Sequence, residues 1–183
     1  SRKALAAFSG SAAGVLWGLA MAHLFGRLMK INGATMPYVQ TLLYSGCGEL
    51  DMADIFIGAT ILAGSGAVMD LAMDIAAGVE ELARHNPGLP GRELAASGVR
   101  IGRSVVGTMT TTLLLAYSGG YLTLLMVFAL QGTPVREFLN NPLVACEVMK
   151  TLIGSFSLVL VAPFTALAAG WLFRPRTSEG TRG

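Results

Sequence analysis

The stretch MADIFIGATILAGSGAVMDLAMDIAAGVEELA (52–83) decides the fold. It stays predominantly apolar for longer than the ~20 residues a helix needs to cross a bilayer. An apolar run of this length reads as a transmembrane helix rather than a soluble core element. Two acids, Asp70 and Asp74, interrupt it. They are four apart, so on a helix they share one face. Followed backwards, that stripe passes through Gly66, Ala63 and Ala59; followed forwards, it reaches Gly78 and Glu81. Small residues let backbones approach closely, so this face is expected to meet other helices. A carboxylate facing lipid instead would cost ~2.5 kcal/mol or more.

Three further apolar runs flank this one, at 4–26, 101–130 and 142–173. The last three of the four runs exceed a minimal span, so they tilt or project from the bilayer. Of the 183 residues 53% are hydrophobic and 13% charged, and the mean hydropathy is +0.60. Soluble domains carry about twice that charge. The expected fold class is therefore all-α: a polytopic membrane helix bundle of about four transmembrane helices with interfacial amphipathic helices. A net charge of +2, with no basic patch interleaved with aromatics, argues against nucleic acid. The start Ser1-Arg2-Lys3, without Met, suggests a piece of a longer parent chain. The first run is too long for a signal peptide.

Lys and Arg set the orientation. With four spans, one side receives Arg2, Lys3, Arg84, Arg92, Arg100, Arg103, Arg174, Arg176 and Arg182, and the other only Arg27, Lys30 and Arg136. The bias places both termini in the cytoplasm. The segment 28–51 could be interfacial or re-entrant, 92–103 reads as a short amphipathic helix on the inner surface, and the tail 174–183 reads as disordered.

Depth along the spans suggests a site. With the inner boundary near Glu81, Asp74 lies ~10 Å and Asp70 ~16 Å inside at a rise of ~1.5 Å per residue. Thr108, Thr111 and Thr112 of the third run fall ~10–16 Å inside, and Pro163 and Thr165 of the fourth ~12–15 Å. The expectation is one polar layer between three helices, with Gly66 allowing close approach and Pro163 breaking the facing helix. Membrane hydroxyls often bond only their own i−4 carbonyl, but intramembrane acids mark ion or proton pathways. A carboxyl able to be neutral or charged suits a proton relay.

Other residues carry less. Glu147 and Lys150 are three apart and read as a local interfacial ion pair. Arg100 and Arg103 read as interface anchors, and the Met residues as packing. His23 and His85 lack metal-ligand spacing, and no cofactor is implied. Cys47 and Cys146 both fall on the outer side, where a disulfide is chemically feasible. An aspartyl protease would need its acids on separate helices, a serine protease a base at the polar depth, and no phosphate loop follows a strand. The expectation is a protein that is not an enzyme.

The segments GAVMDLAMDIAAGVEEL (66–82), IGRSVVGTMTTTLLLAYSGG (101–120) and EVMKTLIGSFSLVLVAPFTAL (147–167) resemble the YibE/F family of bacterial multi-spanning membrane proteins. The resemblance runs from RKALAAFSG (2–10) almost to Phe173. Ser104 and Thr111 stand where that pattern leads one to expect Asp and Asn. More distantly, the order of small-rich helix, Asp, Glu-Glu and GR-x-x-x-T-x-TT-x-L is similar to the membrane unit of SecD and SecF, proton-driven RND-type proteins. That likeness implies an acid role for Asp70, with Thr111 and Thr112 as the facing hydroxyls.

The expected function is a membrane transporter or permease component, proton-coupled through Asp70 and Asp74, in the bacterial cytoplasmic (inner) membrane. Thr108, Thr111, Thr112 and Thr165 would line the pathway. Its partners would be the lipid bilayer, protons or ions, and the rest of the parent chain or a sister subunit, with a homo-oligomer allowed. The rival is a non-transporting scaffold, assembly subunit or receptor whose acids hold helices together.

Overall fold

A computed structural model describes residues 2–28, 39–46 and 50–174. These form α1 (Arg2–Leu28), α2 (Val39–Tyr44), α3 (Met52–His85), α4 (Gly91–Gly120), α5 (Leu122–Leu130), α6 (Val135–Leu139) and α7 (Pro142–Phe173), with no strand among the described residues. Helices α1, α3 and α7 are each long and apolar enough to cross a membrane. α4 and α5 make a fourth span if taken together, bent by 55° at their break. The all-α membrane bundle of about four spans is therefore the observed class. Large apolar side chains such as Phe8, Leu62 and Trp171 are 65–77% exposed, an outer surface suited to lipid and not to water.

The helix ends follow local chemistry. Asp51 Oδ1 accepts the Ala53 N–H at 2.8 Å and caps α3, supplying a partner to one of the orphan donors of a first turn. Asn141 does the same for Leu143 at 3.0 Å, ahead of a helix that opens on Pro142, whose missing N–H is harmless at that position. Asn86-Pro87-Gly88 ends α3, and the Pro90 carbonyl receives the first N–H groups of α4, from Glu93 and Leu94.

Three expectations need correction. Residues 92–103 are helical but not a separate surface helix: they are the first turns of α4, where Leu94, Ala95, Gly98 and Gly102 are buried. α7 runs unbroken through Pro163; the proline removes one backbone donor without ending the helix. The break comes instead in the third run, at Tyr121 between α4 and α5. Cys47, the segments 29–38 and 47–49, and the tail beyond Arg174 lie outside the described residues, so neither the Cys47–Cys146 pairing nor the whole of 28–51 is described.

The chain forms two compact units. The first comprises Ser1–Gly14, Ala67–Thr108 and Leu158–Gly183. Its α3 portion buries Val68, Leu71, Ala72, Ile75, Ala76 and Val79, and its α7 portion buries Leu158, Val161, Ala162, Thr165, Ala166 and Ala169. Both sets follow the i, i+3, i+4 spacing of one helix face. Glycines set the distances between helices. A Cβ on Gly98 would lie 2.9 Å from both Ala166 Cβ and Val79 Cγ2, and one on Gly102 2.7 Å from Ala162 Cβ. The second unit comprises Val15–Gly66 and Met109–Ser157. Its core gathers Ala22, Phe56, Ile57, Cys146 and Ile153.

Candidate functional site

In the first unit three contacts fix how α3 runs beside α4. The glycine Cβ positions place Gly78 against Ile101, Gly98 against Val79 and Gly102 against Ile75. The residue numbers fall on one helix as they rise on the other, so the pair is antiparallel. Continued along that register, Asp74 stands level with Arg103 and Ser104, and Asp70 level with Thr108. Asp74 is one turn from Gly78, and Thr108 is two turns from Ile101, so each continues the face its helix turns to the other. All three of Asp70, Asp74 and Thr108 are exposed. The structure thus gathers Asp70, Asp74 and Thr108 along the open side of one α3–α4 seam.

The same seam widens where α3 ends and α4 begins. A groove of about 560 Å³ there is lined by Gly78, Glu81, His85, Ser97 and Arg100 among others. Its charges are partnered locally. Glu81 lies 3.4 Å from Arg84 and 3.2 Å from His85, and Arg100 Nη2 donates to Ser97 Oγ at 3.0 Å. Arg100 is therefore part of a polar groove as well as an expected anchor.

The three-helix layer does not form as expected. Thr165 is fully buried in packing against α1: a Cβ on Gly10 would overlap its side chain. Its Oγ1 has no hydrogen-bond partner among the described residues. Pro163 sits on the same helix and is half-buried. The acids point outwards because α3 turns its continuous apolar stripe, not its small-and-acidic stripe, into the unit, where that stripe packs closely against the glycines of α4. Thr111, Thr112 and Gly66 belong to the second unit, where all three are exposed and Gly66 has open space around it.

That second unit holds a polar cluster that spacing undervalued. Lys150 Nζ donates to Glu147 Oε1 at 2.6 Å, with side chains only 8% and 13% exposed. The ammonium also lies 5.7 Å from the centre of the Phe56 ring, within cation–π reach. The Tyr117 hydroxyl is buried without a hydrogen-bond partner among the described residues. The expected i,i+3 pair forms, and surrounding side chains enclose it. AYSGGY (116–121) just before a helix break was the legible signal, since two tyrosines flank the Gly-Gly pair.

The family profile described as YibE/F-like protein matches residues 1–175. The chain belongs to the YibE/F family. No curated protein and no solved structure matches it. In this YibE/F chain Ser104 is exposed on α4 at the level of Asp74. No cluster of three His, Cys, Asp or Glu residues suited to a metal occurs among the described residues of this YibE/F chain.

Proposed function

We propose that this chain is a component of a membrane transporter, coupled to proton movement through Asp70 and Asp74. The observation that carries the reading is the position of these acids. Both lie on a helix apolar enough to span a membrane, on the open side of a seam that also bears Thr108. A carboxylate left against lipid is unfavourable by ~2.5 kcal/mol or more, so a second membrane segment or a water-filled path has to cover this seam. That segment would come from the rest of a parent chain, a sister subunit or a second copy. Asp70 is the principal proton carrier in this reading, Asp74 the second, and Thr108 a facing hydroxyl. The setting is the bacterial cytoplasmic membrane, with both termini in the cytoplasm.

The exposure of the acids also favours a second reading, an assembly subunit that uses Asp70, Asp74 and their small neighbours to bind another helix. Proteoliposomes holding pyranine separate the two. Under an imposed potential, transport predicts proton uptake that Asp70→Asn abolishes. Uptake that persists in Asp70→Asn, together with altered association in lipid, would establish the assembly role instead.

A further inference from the structure

The bend between α4 and α5 opens a cavity of about 350 Å³ within the second unit. Its wall is almost wholly apolar, with Leu114, Leu125, Phe138, Val148 and Leu152 around it. Several polar side chains on the wall are already engaged, while the Tyr117 hydroxyl, which also lines it, has no hydrogen-bond partner among the described residues. Glu147 is held by Lys150, Ser118 Oγ donates to the Leu114 carbonyl at 2.8 Å, and Thr151 Oγ1 to the Glu147 carbonyl at 2.9 Å. A lipophilic cation would need a free carboxylate, and Lys150 already neutralises this one. The Tyr117 hydroxyl aside, an uncharged hydrocarbon fits the predominantly apolar wall.

We propose that this cavity holds one acyl chain of an anionic phospholipid. At roughly 30 Å³ per methylene, close to the liquid volume of a water molecule, the space takes about a dozen carbons. Charge supplies the headgroup preference. Leu139 and Phe138 of α6 line the cavity, and Arg136 lies one turn before Leu139, exposed and without an ion pair among the described residues. A guanidinium at the rim of an apolar slot suits a phosphate carried on the chain it admits. T-shaped packing of Phe128 on Phe138, with ring centres 5.4 Å apart, ties α5 to α6 and keeps the rim in place. The site is independent of the seam that carries Asp70 and Asp74.

The test uses the whole chain, delipidated and then titrated with dioleoyl phosphatidylglycerol or dioleoyl phosphatidylcholine, with bound lipid counted by native mass spectrometry. One phosphatidylglycerol is expected to persist at low stoichiometry, held several-fold more tightly than phosphatidylcholine. Leu125→Trp, which fills the cavity, should remove it. Arg136→Gln should retain a bound lipid but lose the preference for phosphatidylglycerol. Should Leu125→Trp not fold, spin-labelled phosphatidylglycerol on the unsubstituted protein decides the matter through a motionally restricted component, competed by the unlabelled lipid. Equal retention of both lipids, retention unchanged by Leu125→Trp, no restricted component, or saturable tetraphenylphosphonium binding in place of lipid would each overturn the proposal.

Discussion

At the scale of single residues, the buried Glu147–Lys150 pair and the orphaned Thr165 hydroxyl make opposite predictions. Removing one partner of an enclosed pair leaves a charge uncompensated. Glu147→Gln should therefore destabilise the protein by about 3–5 kcal/mol. Thermal unfolding in detergent would read this as a marked fall in midpoint. Replacing both, as Glu147→Leu with Lys150→Met, should restore most of the loss, because two well-packed apolar groups need no hydration. Thr165 is the reverse case. Its hydroxyl is buried without a hydrogen bond among the described residues, a condition that costs about 1–3 kcal/mol. The near-isosteric Thr165→Val should raise the unfolding midpoint and leave proton uptake unchanged. Loss of uptake in that variant would return Thr165 to the pathway from which its packing against Gly10 removes it.

At the scale of helices, the stabilising contacts are those that glycine makes possible. The α4–α7 approach in the first unit depends on Gly98 and Gly102, where even a methyl group would sit under 3.0 Å from a neighbouring alanine. Gly102→Leu should therefore separate the two helices and lower stability by about 1–3 kcal/mol, as overpacking does elsewhere. The midpoint of unfolding checks it, with Gly66→Ala as a control, since Gly66 has nothing near it. Much of this scale was legible in the sequence. Apolar length located the bounds of α3 and α7 to within a few residues, and the four-residue step from Asp70 to Asp74 correctly put both on one face. What spacing does not contain is which face turns inwards. On α3 an apolar stripe and a small-and-acidic stripe competed for the interior, and only the packing of Ile75 and Val79 against Gly102 and Gly98 decides it. The break at Tyr121 was hidden for a related reason. Pro163 is the stronger breaker by local chemistry, yet α7 carries through it, while α4 ends at a Gly-Gly pair of weak helix propensity.

For the whole molecule, the open seam is the feature with the widest reach. A nitroxide placed by Asp74→Cys should show low oxygen accessibility in lipid if another membrane segment covers the seam. One placed at Leu62, 77% exposed, should show the high accessibility of a lipid-facing site. Equal, high values at both positions would mean that lipid itself lies against the acids and would remove the basis for a covered pathway. Span boundaries alone put Thr108 level with Asp74, seven residues inside each boundary, whereas the contacts of Gly78 with Ile101 and of Gly102 with Ile75 set it level with Asp70, one turn further along. The burial of the pair in the second unit was not readable, since an i,i+3 Glu and Lys look the same in sequence whether water or protein surrounds them.

That enclosed pair has one more consequence, and it concerns warmth. Hydration of charged groups becomes less favourable as temperature rises, so the penalty for keeping Glu147 and Lys150 out of water shrinks on heating. The charge-free double variant has no such term. The stability curves of the two proteins should draw together as the sample warms, and a pair that is a burden in the cold becomes close to neutral in the heat.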